Sequence, residues 1–133
     1  MCASGATSFS VTAAGTAPFT YAWRHNSTPI PVGSNASAGT ATLSLTGVAL
    51  GDAGTYDCIV TNSCGSTTSS AGAVTVLVDL NGDNAINTLD LGIVLAHFGS
   101  SVAPGTLGDG NGDGVVNTVD LGLILNGFGH TCP

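Results

Sequence analysis

Two short segments of the 133-residue chain carry almost the same text, DLNGDNAINTLD at residues 79–90 and DGNGDGVVNTVD at residues 109–120. Each sets an aspartate or asparagine at alternate positions, breaks off, and returns to aspartate at its end. The chain holds eight acidic residues and one basic residue, Arg24, for a formal charge of −7. Six of the eight acids (Asp79, Asp83, Asp90, Asp109, Asp113 and Asp120) lie inside these two segments. Like charges crowded into a folded loop repel unless a cation sits among them. Asp, Asn and Gly also collect in ordinary turns, but that habit does not reproduce every oxygen-bearing position twice, each time ahead of the same apolar run.

Counted from its first aspartate, each segment offers side-chain oxygens at positions 1, 3, 5, 9 and 12, with a backbone carbonyl at 7. The first set is Asp79, Asn81, Asp83, Asn87 and Asp90 with the carbonyl of Ala85, and the second is Asp109, Asn111, Asp113, Asn117 and Asp120 with that of Val115. This is the ligand spacing of an EF-hand-type calcium loop, because a hard cation takes about six to eight oxygens and alternate positions of a tight loop converge on one point. Position 6 must turn sharply: Gly114 suits it, and Asn84 is the next most tolerant residue. Magnesium demands a stricter geometry and keeps its waters. The expected cofactor is therefore calcium, two ions.

Each acidic segment runs into an apolar stretch, LDLGIVLAHFG at 89–99 and VDLGLILNGFG at 119–129. Leu91, Leu95 and Phe98, repeated as Leu121, Leu125 and Phe128, fall on one face of a short helix. Gly99 and Gly129 are placed to end the helices. Before residue 79 the period is two. TSFSVTA alternates Phe9, Val11 and Ala13 with polar residues, ATLSLT does so with Leu43 and Leu45, and FTYAWR, TYDCIVTN and AGAVTVLV complete a set of short strands. Such strands, with turn signals between them, argue a β-sandwich. Residues 31–40, PVGSNASAGT, read as loop or weak edge strand.

The same composition excludes several functions. With one basic residue there is no surface to displace counterions from a nucleic acid, and no run approaches the ~20 apolar residues of a membrane span. The three histidines stand apart in sequence and no Cys-x-x-Cys occurs, so zinc is not expected. The acids are committed to metal and no nucleophile has an evident base, so the chain is not expected to be an enzyme. Asp52 is expected to pair with Arg24. Asn26-Ser-Thr and Asn35-Ala-Ser match the glycosylation pattern, a match that comes cheaply in a chain rich in Ser and Thr.

Trp23 on an early strand, followed by Asp52, Gly54, Tyr56 and Cys58 in LGDAGTYDC, resembles an immunoglobulin-type domain over roughly residues 2–78. The resemblance implies a tryptophan between the two sheets and a tyrosine whose hydroxyl folds back on the backbone before its strand. The position that would carry the partner of Cys58 holds Val11, which bars the usual cross-sheet disulfide and leaves Cys58 a buried thiol. The first strand of the family is almost absent, which leaves a sheet edge open. Related bacterial sandwiches imply a pairing of Cys2 with Cys64, although a standard sandwich puts these at opposite ends, beyond the ~7 Å between Cα atoms that a disulfide tolerates. Cys2 with Cys132 is the alternative.

Loop followed by helix, duplicated, with Asp at position 12, resembles a dockerin repeat pair over residues 79–129. The fold class is then a mainly β immunoglobulin-like sandwich, residues 1–78, joined to a small all-α dockerin-like module, residues 79–133. The resemblance implies two helices packed antiparallel, an extracellular or cell-surface setting, and a cohesin-like or surface protein as partner. It places recognition just ahead of the last ligand, at Thr88 and Leu89 and again at Thr118 and Val119. This half of the chain has no Lys or Arg, so Leu89 and Val119 imply an apolar docking surface. The alternative function is a structural subunit that assembles with copies of itself, head to tail, through the open sandwich edge or the calcium module.

Overall fold

A computed structural model describes residues 5–132. The chain divides into two compact units, one ending at Thr75 and the other beginning at Val76.

The first unit is a two-sheet sandwich. One sheet pairs β1 (Ala6–Ser10) with β4 (Thr42–Thr46), antiparallel, from Ala6 opposite Thr46 to Ser10 opposite Thr42. The other is built on β5 (Gly54–Asn62), the longest strand, which pairs with β2 (Thr20–His25) along one edge and sets Trp23 opposite Cys58. β2 also carries the two-residue β3 (Thr28–Pro29). Along its other edge β5 pairs with β6 (Gly65–Thr68) and then with β7 (Gly72–Val74). Ser69 spans the break between these two, donating its backbone N–H to the Cys58 carbonyl at 2.8 Å and accepting the Cys58 N–H on its hydroxyl at 3.0 Å. The segment 31–40 holds a turn of 3-10 helix at Ala36–Gly39, capped by the Asn35 side chain. β6 escapes a sequence reading because all four of its residues are exposed, so no apolar alternation marks it.

Side chains from both sheets meet at Phe9, whose ring lies 6.3 Å from that of Trp23 and 5.2 Å from that of Tyr56. His25 stacks on the same tyrosine at 4.6 Å. Burying these rings removes their apolar area from water, the main source of a sandwich's stability, and their polar ends are satisfied in place. Trp23 donates its indole N–H to the Thr40 carbonyl at 2.8 Å, and Tyr56 donates its hydroxyl to the Asp52 carbonyl at 2.8 Å. The tyrosine corner implied by LGDAGTYDC is thus present.

Three expectations are corrected in this unit. Arg24 pairs with Asp57, its cross-strand neighbour, through two hydrogen bonds of 2.8 and 2.6 Å; Asp52 instead accepts the Ala49 N–H at 2.9 Å and caps a short 3-10 turn. The strand read through to Val78 stops at Val74, and Val76, Leu77 and Val78 are buried as part of the second unit. The pairing of Cys2 with Cys64 does not form: Cys64 is an exposed free thiol in the turn between β5 and β6, its N–H held by the Asn62 side chain. Cys2 lies outside the described residues. Cys58 is a buried free thiol, as Val11 implies, and Cys132 is disulfide-bonded.

Both glycosylation matches carry an asparagine already engaged by the fold. Asn26 accepts the Thr55 N–H and contacts the His25 ring nitrogen, and Asn35 donates to the Ser44 carbonyl while accepting from Ser37.

The second unit holds two α-helices, α1 (Thr88–His97) and α2 (Thr118–Gly127), each directly after an acidic loop. Their inward residues are Val94 and Ile124, which share a core with Ile86, Val116 and residues 76–78. The stripe read from the sequence is turned outward: Leu95, Phe98, Leu125 and Phe128 are exposed, while Leu91 and Leu121 are half-buried. The cause lies at the helix starts. Asp90 and Asp120 are drawn into their loops, which fixes the inward face at Asp90 and Val94 on α1 and at Asp120 and Ile124 on α2. A residue one place along points about 100° away.

Candidate metal centre

Asparagine and aspartate build both loops by the same hydrogen bonds. Asp79 accepts the N–H groups of Gly82 and Asn84, and Asp109 accepts those of Gly112 and Gly114, all at 2.8 Å. Asn81 and Asn111 accept from Asp83 and Asp113, which in turn accept from Ala85 and Val115. These short-range bonds wind each segment into a tight curl with every side-chain oxygen turned towards its own loop. The turn at position 6 needs a positive φ, which is 66° at Asn84 and 84° at Gly114.

The last ligand position closes the curl. Asp90 is fully buried and accepts three backbone N–H groups, from Leu80, Asn81 and Asn87. Asp120 is likewise buried and accepts from Gly110, Asn111 and Asn117. Asn87 and Asn117 cap the helices, accepting the N–H of Leu89 at 2.7 Å and of Val119 at 2.8 Å. Each also donates to the position-7 carbonyl, Ala85 at 3.3 Å and Val115 at 3.1 Å. At position 9 a calcium loop often supplies its oxygen through a water, so a side chain that doubles as a helix cap is compatible with that place in the pattern.

In the first loop one carboxylate oxygen each from Asp79, Asp83 and Asp90 lies within 4.8 Å of the others. No basic side chain relieves this crowding, since the chain's one arginine is in the other unit, paired with Asp57. A donor set of three carboxylates, two amide oxygens and a backbone carbonyl, all hard oxygens with net negative charge, suits a divalent hard cation. Each set of residues fits calcium by that chemistry. The second loop has the same donors but a more heavily tied first ligand. Asp109 is 1% exposed and accepts additional N–H groups from Gly105 and Asp113. Burial alone would raise its pKa, but four backbone donors outweigh that and hold it below the usual carboxylate range.

The residues expected at the docking face are exposed beside these loops. Thr88 and Leu89 open α1 and Thr118 and Val119 open α2, with Leu89 61% and Val119 54% exposed. Leu95 with Leu125 and Phe98 with Phe128 extend the same pairwise repetition along each helix.

Sequence reasoning missed the residue at loop position 8. Ile86 and Val116 are fully buried, and each bonds by backbone to the end of the other repeat's helix. Ile86 donates to the His130 carbonyl at 2.9 Å and accepts the Gly129 N–H at 2.8 Å; Val116 donates to Ser100 at 3.0 Å and accepts from Gly99 at 2.8 Å. The beginning of each helix is thereby tied to the end of the other, so α1 and α2 run antiparallel. The available signal was a β-branched apolar residue directly ahead of the asparagine in both loops, Ile86 before Asn87 and Val116 before Asn117. At Gly127 a Cβ would lie 2.8 Å from the Ile86 Cδ1, so a side chain there would force the end of Ile86 to shift.

Comparison with known proteins agrees with this division. The immunoglobulin I-set domain family matches residues 3–76, more than half of the chain, and the dockerin type I domain family matches residues 77–129. Among solved structures the sandwich is similar to tandem immunoglobulin repeats of Dlar, at 23% identity and a TM-score of 0.53, covering 59% of this chain and 42% of that one. It is also similar to a complex of immunoglobulin domains of titin and obscurin-like 1, at 24% identity and a TM-score of 0.50, covering 59% and 83%. A Sidekick-1 chain of five immunoglobulin domains aligns at 19% identity and a TM-score of 0.48, over 57% of this chain and 15% of its own length. At these identities the likeness is one of fold. No curated protein matches the chain. Both families are non-catalytic, dockerin domains bind calcium, and they serve as protein-docking modules in extracellular or cell-surface proteins. The chain is an immunoglobulin I-set domain followed by a dockerin type I domain.

Proposed function

We propose that the chain is a non-catalytic attachment module acting outside the cell, in which the dockerin domain takes up two calcium ions and docks a cohesin-like or surface protein. Asp79, Asn81, Asp83, Asn87, Asp90 and the Ala85 carbonyl hold one ion; Asp109, Asn111, Asp113, Asn117, Asp120 and the Val115 carbonyl hold the other. Thr88, Leu89, Thr118 and Val119 make the contact. The observation that carries this reading is the repetition: the same hydrogen bonds wind both loops, and each loop leads to a helix with a large apolar side chain exposed at its start. Calcium supplies the positive charge that the loop carboxylates lack, and the fixed loop sets where the helix begins.

The test is a calorimetric calcium titration followed by capture of partners on the immobilised protein, with calcium and with a chelator. Uptake of two ions and calcium-dependent capture of a cohesin-like protein support the reading; absence of calcium uptake overturns it. A second reading, head-to-tail assembly with further copies, draws on β1, which pairs only with β4 among the described residues. Oligomers in size-exclusion chromatography that dissolve with chelator would favour it over a separate partner.

A further inference from the structure

We propose that the two calcium loops are positively coupled, because each is held in shape by a backbone strap that the other repeat supplies. This rests on the calcium reading given above. The strap on the first loop is the segment after α2. Running antiparallel to residues 84–86, it makes three hydrogen bonds: Gly129 N–H to Ile86 carbonyl, Ile86 N–H to His130 carbonyl, and Cys132 N–H to Asn84 carbonyl, at 2.8, 2.9 and 2.8 Å. A β-bridge between Ala85 and Thr131 lies among them.

The strap on the second loop is the segment after α1, and it repeats the pattern bond for bond. Gly99 donates to Val116, Val116 to Ser100, and Val102 to Gly114, at 2.8, 3.0 and 2.9 Å, with Ser101 bridged to Val115.

Both straps grip positions 6 to 8. The bridged residue is Ala85 or Val115, whose carbonyl is the backbone ligand, and the turn that aims it is the residue before. Each strap starts at a glycine with φ of 83° immediately beyond a helix, so it is in place only when that helix is formed. The helix in turn is capped by its own loop through Asn87 and Asp90, or Asn117 and Asp120. A closed cycle results: an ion in the second loop orders α2, α2 positions residues 129–132, and these hold the carbonyl of Ala85. The same cycle runs from the first loop through α1 to Val115. Coupling between two binding sites is reciprocal, so one factor describes both directions.

Residues His130, Thr131 and Cys132 are therefore positioning residues for a metal site to which they contribute no ligand. The full chain and two variants are titrated with calcium by calorimetry, with amide NMR signals of Gly82 and Gly112 reporting the two loops separately. Asp109→Ala should weaken the first loop about tenfold, within the usual range of intersite coupling. A chain ending at Gly129 keeps every ligand of both loops. It should also weaken the first loop about tenfold, and adding Asp109→Ala to it should weaken that loop little further. Val102→Pro, which deletes one N–H of the other strap, should lower the affinity of the second loop, and helical circular dichroism at saturating calcium checks that each variant folds. A first loop that binds equally well in the full chain, in Asp109→Ala and in the shortened chain overturns the coupling and leaves the calcium reading intact. An absence of calcium uptake by the full chain overturns the calcium reading itself.

Discussion

Arg24 and Asp57 face each other across β2 and β5, joined by two parallel hydrogen bonds of 2.8 and 2.6 Å from the guanidinium to the carboxylate. The Arg24 hydrogen bond outweighs partial burial and holds Asp57 below the usual carboxylate pKa. A group whose folded pKa is depressed contributes stability above its unfolded pKa, about 3.9 for Asp, and that contribution fades as pH falls through the lower folded value. Asp57→Asn should therefore destabilise the sandwich at neutral pH, by about 1 kcal/mol or less for a partly buried pair at the surface. The deficit should vanish under acid conditions. Denaturant unfolding of both proteins at neutral pH and near pH 2 measures this, and a deficit unchanged by pH would refute it.

That ion pair marks a limit of what the sequence discloses. LGDAGTYDC identifies the corner and its tyrosine, because those residues act on near neighbours: Tyr56 reaches Asp52 within its own turn. The choice between Asp52 and Asp57 for Arg24 depends on the register of β2 against β5, which no local signal sets. The loops were legible for the same reason as the corner, since most of their bonds join residues within five places of each other and the rest reach no further than the last aspartate of the same loop. The straps were not, because they pair Ile86 with His130 and Val116 with Ser100. Periodicity finds the apolar stripe on each helix, but which side turns inward is decided by buried Asp90 and Asp120, one position away from it.

The two thiols should differ sharply in reactivity. Cys58 is fully buried, and desolvation raises its pKa, whereas Cys64 is exposed in a turn. A thiolate must form and be reached to react. A chromogenic disulfide reagent should label one free thiol in the native protein and a second after unfolding, with mass mapping placing the first at Cys64. Fast native labelling of Cys58 would contradict the buried placement.

Removing calcium should act on one unit. A chelator should abolish most helical circular dichroism, because unscreened repulsion among Asp79, Asp83 and Asp90 opposes closure of the loop that caps α1. The β-signal should persist, since the aromatic cluster of Phe9, Trp23 and Tyr56 contains no loop residue. Asp79→Ala with Asp109→Ala should reproduce the chelated spectrum. Asp52→Ala should instead cost the sandwich about 1 kcal/mol for its lost cap and leave calcium affinity unchanged.

The docking face offers the last test. Leu89 and Val119 each open a helix and are more than half exposed, so replacing them removes little buried area. Leu89→Ser together with Val119→Ser should leave calcium affinity and helical content as they are. Docking should fall by at least tenfold, because exposed apolar side chains at a contact lose most when made polar. Salt separates this mechanism from a charged one. The domain has no Lys or Arg, and its six aspartates all lie in the two loops proposed to hold calcium, which leaves few charges to pair with a partner; at 0.15 M ionic strength exposed charges are screened beyond about 8 Å. Affinity should therefore change less than about threefold between low and physiological salt, measured by surface plasmon resonance at saturating calcium. A steep loss with salt, or full binding by the double variant, would move the contact away from Leu89 and Val119.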